Sequence, residues 1–227
     1  MKLTLHAYRA LENENLNEGF INGHARVLTD YGVTNITSYK HSWVDNPSVY
    51  CVVAIDEEDE VVGGVRFHIA NGTNPLPLEE ALSNLDQRIH AFVENLGFHK
   101  TGELCGLWNA KKVAGMGVSL LLTQAGISIS NQLHVEMLLG ICADYTLPLF
   151  QSVGFQVDYS LGMKGEFPYP TEKYITRVIG ILNAKSLSTA SPENQKKINF
   201  LRKNPLIQLE EQGKKGNFQA VYQLKLK

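Results

Sequence analysis

The stretch Glu103-Leu104-Cys105-Gly106-Leu107-Trp108-Asn109-Ala110-Lys111-Lys112-Val113-Ala114-Gly115-Met116-Gly117-Val118-Ser119 decides the fold. Its first third is an apolar, strand-like run ending near Trp108. A short loop with Gly115 and Gly117 follows. From Val118 the spacing of Leu121, Leu122, Ala125 and Ile129 predicts a helix with an inward apolar face. Strand, glycine loop and helix in that order can hold a phosphate. Glycines let backbone N–H groups approach an anion, and the helix N-terminus adds partial positive charge. Lys112 adds a full charge. The competing reading is a plain flexible turn. A dinucleotide fingerprint is the weaker reading, because the third glycine is missing and the strand does not open a βαβ unit.

Working outward, residues 16–31 predict a helix that Gly32 would end. Tyr50–Ile55 and Val61–Ala70 predict an antiparallel hairpin around the acidic turn Asp56–Glu60. Residues 77–96 carry Leu78, Leu82, Leu85, Ile89, Phe92 and Leu96 at helical spacing, with Pro77 in the first turn and Gly97 after the last. Leu133–Ala143 reads as a central strand. Asp144 would cap a short helix ending near Val153. Phe155–Met163 and Tyr174–Leu182 read as two more strands. The implied class is α/β (α+β): a mixed central sheet flanked by helices. After Asn183 the character becomes polar. Residues 185–227 read as an extension with a short helix (193–203) and a last strand. Phe218, Ala220, Tyr222, Leu224 and Leu226 alternate there, so this strand needs a partner surface on the main domain (1–184) or on a second subunit.

Composition narrows the function. Among the 227 residues, 44% are hydrophobic and 19% charged, and the formal net charge is −2. That balance gives a packed core and no basic stripe for nucleic acid. The pair Lys214-Lys215, between Gly213 and Gly216, reads as a solvated turn. No run approaches the ~18 apolar residues of a membrane helix. Lys2, His6 and Arg9 interrupt the first ten residues, against a secretory signal. Cys51, Cys105 and Cys142 read as reduced core thiols, which points to the cytoplasm. The 7 histidines show no ligand spacing, so no metal site is expected.

Lys112-Val113-Ala114-Gly115-Met116-Gly117 resembles the acyl-carrier loop of the GNAT acyltransferases, Arg/Gln-x-x-Gly-x-Gly/Ala. Phe150-Gln151-Ser152-Val153-Gly154-Phe155 resembles their Tyr-x-x-x-Gly-Phe segment. Val62-Gly63-Gly64-Val65-Arg66-Phe67 and Glu103-Leu104-Cys105-Gly106-Leu107 are similar to strand patterns of the acyl-homoserine-lactone synthases and N-acyl amino acid synthases. The resemblance implies a GNAT-like fold and an N-acyltransferase. Its donor would be acyl-CoA or the phosphopantetheine of acyl carrier protein, and its acceptor a small-molecule amine. Leu107, Trp108, Asn109, Lys112, Val113, Ala114, Gly115, Met116, Gly117 and Val118 would form the donor site. Gly106 stands where those synthases have arginine, which counts against lactone synthesis. Phe150 stands where many GNAT enzymes have an acidic tyrosine, so another group or water would protonate the leaving thiolate.

Two residues carry candidate chemistry, each with two readings. Glu103 reads as the base that takes the amine's proton, or as a strand-end charge or partner of Arg66. Arg66 reads as a bidentate clamp for an acceptor carboxylate, or as a side chain snorkelling at the sheet edge. A non-catalytic carrier-binding protein is the second functional reading, and a homoserine-lactone synthase the third.

Overall fold

The computed structural model describes residues 1–30, 32 and 41–226. Its centre is one mixed sheet. In chain order the elements are β1 (Lys2–Arg9), α1 (Glu14–Asp30), β2 (Val49–Ile55), β3 (Val61–Ile69), α2 (Pro77–Leu82), α3 (Arg88–Leu96), β4 (Thr101–Asn109), α4 (Val118–Ile129), β5 (Met137–Ala143), α5 (Leu147–Ser152), β6 (Gln156–Val157), β7 (Phe167–Pro168), β8 (Ile175–Ile181), α6 (Pro192–Lys203), β9 (Leu206–Gly213) and β10 (Gly216–Gln223). The sheet order is β6-β8-β5-β4-β3-β2-β1-β10-β9, with β7 also on β8. β4 runs parallel to β5 and β1 parallel to β10, and the other pairs are antiparallel.

Strand alternation sorts side chains onto two faces. Val52, Val65, Phe67 and Leu104 meet α4 (Leu122, Ala125) and the inward side of β10 (Phe218, Ala220, Tyr222) in the main core. The opposite face packs Cys51, Val53 and Trp108 against Phe20 of α1 and Trp43. Farther along that face, α2 and α3 cover Leu139 and Val178 with Leu78, Leu82, Ile89 and Val93.

The hairpin, the glycine loop and α4 lie where the sequence places them. The differences have local causes. The predicted helix over 77–96 is two helices, because the Asp86 carboxylate accepts the amide protons of Arg88 (3.0 Å) and Gly162 (2.8 Å) and holds a turn. Asp144 caps no helix, since Arg177 Nε donates to its Oδ1 at 2.5 Å. The strand expected over 155–163 shrinks to β6, and its chain rejoins the same β8 edge later as β7. The strand expected over 133–143 begins only at Met137. β1 and β9 were not foreseen. The end of the predicted helix over 16–31 falls partly outside the described residues. In the tail, α6 covers α4, and β10 pairs with β1 of the same chain from Lys2↔Gln219 to His6↔Gln223.

Helix α1 reaches the sheet through a gap left by a missing side chain. A Cβ on Gly23 would lie 2.0 Å from Trp108 Cη2. Gly23→Ala gains about 1 kcal/mol of helix propensity but overpacks this contact at a typical cost of ~1–3 kcal/mol. We expect a net loss of stability in urea denaturation. A variant as stable as the native protein would contradict the contact.

Candidate active site

The decisive geometry lies between β4 and β5. Their ladder joins Thr101, Gly102 and Glu103 to Met137, Leu138 and Leu139 and then stops, although β4 continues to Asn109 and β5 to Ala143. Just beyond that point β4 bulges. Its register to β3 jumps from Arg66↔Cys105 to Gly64↔Trp108, so Gly106 and Leu107 together oppose Val65. Gly106 sits at φ +59°, the left-handed position such a bulge needs. A bulge bends its strand, and here the bend turns β4 away from β5. The Ala110 N–H bonds to Val62 O on β3. By strand alternation the Asn109 N–H points the other way, into the open wedge.

The glycine loop closes the outer end of the wedge. Buried Val113 and Met116 pin it, while Ala114 faces solvent. Gly115 (φ +83°) and Gly117 (φ +78°) give it left-handed turns, and Gly117 is the residue before α4. No side chain caps that helix start, and the first amides of any α-helix lack an intrahelical acceptor. The Ser119 hydroxyl donates to Asn109 Oδ1 at 2.5 Å, tying the first turn of α4 to the end of β4. A pocket of about 350 Å³ opens here, walled by Gly115, Gly117, Val118, Ser119, Leu149 of α5 and Lys214.

Glu103 lies at the closed end of the wedge, opposite His68 in register. It is wholly buried, which removes the reading of an exposed strand-end charge. Its Oε2 accepts the Leu78 N–H at 2.9 Å, and its Oε1 has no partner among the described residues. Burial pushes the carboxyl up to about 8. The Leu78 hydrogen bond and the Arg66 charge oppose that rise, while Glu79 and Glu80 add to it. Burial, with Arg66 nearby, keeps His68 well below the usual imidazole range, so it is neutral.

Arg66 is also buried, its guanidinium 4.9 Å from the Trp43 ring, and its Nε has no partner among the described residues. It does not snorkel. Arg66, His68, Trp43, Asn46 and Pro77 line a pocket of about 110 Å³ on the Glu103 face of the sheet. A Cβ on Gly106 would lie 3.1 Å from Arg66 Nε. The missing strand arginine thus leaves room for Arg66.

Three predicted donor-site side chains lie elsewhere. Lys112 binds Asp56 (2.5 Å) and Glu60 on the β2–β3 turn, with Glu58 at 3.9 Å. The bonds to Asp56 and Glu60 hold its ammonium above the ordinary lysine range. Trp108 packs edge-on against Phe20 in the core under α1, so only its backbone is near the wedge. Ala114 faces solvent. Phe150 is buried edge-on against Phe155 and offers no proton. Burial pushes the Cys51 and Cys105 thiols up to about 12, so neither is a thiolate at neutral pH. Sequence reasoning missed the contribution of Ser119, Gln212 and Lys214 to the loop pocket.

No protein-family model matches this sequence, and no curated protein matches it. Solved structures do. A CoA-dependent acyl-homoserine lactone synthase, BjaI, solved with SAM and isopentyl-CoA, superposes with a TM-score of 0.58 at 15% identity, covering 88% of this chain and 90% of its own. FeeM, an N-acyl amino acid synthase from uncultured soil microbes, gives 0.60 at 12% identity, covering 78% and 97%. An acetyltransferase of the GNAT family from Staphylococcus aureus Mu50 gives 0.51 at 12% identity, covering 80% and 99%. The fold is the GNAT fold. No described helix is long and apolar enough to cross a membrane.

The raised carboxyl of Glu103 has a consequence for stability. In the unfolded chain an ordinary glutamate ionises near pH 4.5, whereas the folded protein keeps the proton until about pH 8. Its contribution is therefore full below pH 4.5 and is lost as pH rises to about 8. Glu103→Gln has no such proton. The stability of the native protein relative to this variant should fall by roughly a few kcal/mol across that window and stay flat outside it. Denaturation at several pH values checks this, and a pH-independent difference would place the carboxyl at its ordinary pKa.

Proposed function

We propose that this protein is an N-acyltransferase that moves an acyl group from a phosphopantetheine thioester, carried by CoA or by acyl carrier protein, to a small-molecule amine. One observation carries the reading: the β4–β5 ladder ends at Glu103, so a buried carboxyl stands at the closed end of the wedge, on the same strand that runs out to the glycine loop. The loop amides would take phosphate, and the wedge the pantetheine arm. The Asn109 N–H would polarise the thioester carbonyl.

The amine nitrogen attacks the carbonyl carbon. A C–N bond forms, the nitrogen's proton passes to Glu103 directly or through one water, and the C–S bond breaks to release a thiolate. Burial gives Glu103 an affinity for protons suited to this task near neutral pH. Phe150 supplies no acid, but a thiol of ordinary pKa near 8.5 leaves as thiolate at pH 7 for only about 2 kcal/mol. Arg66, with its free Nε, suits an acceptor bearing a carboxylate. Three free cysteines fit a reducing compartment such as the cytoplasm.

Phe150 favours a second reading, a protein that binds the acyl carrier without turnover. Thiol release from acyl-CoAs of several lengths across a panel of amines and amino acids separates the two. Binding without release would establish the second. Product that depends on S-adenosylmethionine would mark a lactone synthase.

Two variants test the site. Glu103→Gln should lower kcat by about 10²–10⁴-fold with little change in donor affinity. The native rate should rise with pH to a plateau above about 8, as the carboxyl ionises. Native turnover in this variant would move the base elsewhere. In Gly117→Val the side chain must adopt φ +78°, which a β-branched residue strongly resists. This variant should fold yet bind CoA at least ~10-fold more weakly. Unchanged affinity would remove the loop from the donor site.

A further inference from the structure

The tip of the C-terminal hairpin rests directly on the glycine loop. The Lys214 N–H donates to Gly115 O at 2.9 Å. Gly213 lies so close to the loop that a Cβ there would be 2.7 Å from Met116 Cα. The Lys215 side chain runs past Gly115, its Cε 3.5 Å from where a Cβ on that glycine would be. Lys214 lines the loop pocket beside Gly117, Val118 and Ser119. Among the described residues neither lysine has an ion-pair partner, whereas Lys112 is held by Asp56 and Glu60. Lys214 at the loop pocket and Lys215 beside Gly115 therefore both come from the tail.

A second feature adjoins the first. Past Gly117, Leu120 and Gln212 the pocket continues into a groove of about 730 Å³ between α4 and α6. Phe200 stands on its wall, 40% exposed. Gln124, only 4% exposed, also lines it. Its Nε2 donates to Asn194 Oδ1, which leaves Oε1 as a buried acceptor with no partner among the described residues. Of the charged groups facing the groove, Lys197 and Glu211 neutralise each other, and Lys196 and Glu193 remain.

We propose that the C-terminal extension completes the donor site as its nucleotide half: Lys214 and Lys215 bind donor phosphates, and the α4–α6 groove takes the adenosine of coenzyme A. The adenine ring lies against Phe200, and its amine donates to Gln124 Oε1. A volume of 730 Å³ lies within the ordinary range for a ligand of this size. A carrier protein's phosphopantetheine has one phosphate and no nucleotide, and would leave the groove empty. The donor is then a coenzyme A thioester. This rests on the donor-site reading above.

The test is calorimetric titration of the full chain with CoA and with free phosphopantetheine, at low and high salt. Coenzyme A should bind at least tenfold tighter. Charge-assisted hydrogen bonds contribute about 1.5–3 kcal/mol each, so K214A/K215A should weaken CoA by about tenfold or more and flatten its salt dependence. Both lysines are exposed on a turn, and an unchanged melting temperature will show that the variant folds. Gln124→Leu should weaken CoA and leave phosphopantetheine unaffected. Equal affinity for the two ligands, or CoA binding indifferent to the lysines, overturns the proposal alone. No binding of CoA or phosphopantetheine overturns it together with the donor-site reading.

Discussion

The end of the β4–β5 ladder at Glu103 and Leu139 is the constraint on which the candidate site depends. Parallel neighbours inside a sheet normally satisfy each other's backbone groups along their whole length. Here they do so for three residues and then part. The parting is made by the bulge at Gly106 and Leu107, which only glycine's tolerance of φ +59° makes cheap. The same substitution leaves space for Arg66. One small residue thus opens the wedge and lets the buried cation sit beneath it.

The polar groups at the closed end come at a cost to folding. Arg66 Nε, His68 Nε2 and Glu103 Oε1 are buried without partners among the described residues. Each such group typically costs about 1–3 kcal/mol, and more when charged. A core built for stability alone would replace them with apolar side chains of similar shape. They cluster on adjacent strands beside a small pocket, where the proposed acceptor would supply the missing partners.

The parts legible in the sequence were those whose signal is local. Strand β4, the glycine loop and α4 follow one another without interruption, and their composition alone orders them. What stayed hidden depends on residues distant in the chain. The partners of Lys112 lie 52 residues away and more, on the β2–β3 turn, so its charge looked available. Trp108 adjoins the loop in sequence and so counts among the predicted donor-site residues, but its ring is received by Gly23 of α1, far earlier in the chain. β9 alternates between exposed and half-buried residues only, which gives no apolar face to read. β1 does carry a period-two signal, with Leu3, Leu5 and Ala7 buried and Lys2, Thr4 and His6 between them, but Lys2, His6 and Arg9 weigh against an apolar run, and its place in the sheet is set by β2 and β10 on either side.

The pairing of β1 with β10 joins the first strand to the last and fixes where the C-terminal hairpin ends. Phe218, Ala220 and Tyr222 bury one side of β10 in the main core, so the hairpin cannot tilt away from the sheet. The Tyr222 hydroxyl donates to Glu211 Oε1 at 2.7 Å across the hairpin, and Lys197 of α6 binds the same carboxylate. These contacts hold the turn at Gly213–Gly216 against Gly115 and Met116 to within backbone contact distance. A glycine loop with left-handed turns at Gly115 and Gly117 would otherwise sample several shapes and pay the entropy of ordering when a ligand arrives. The hairpin imposes that order in advance. The conformation of the loop is therefore set as much by packing a hundred residues downstream as by its own glycines.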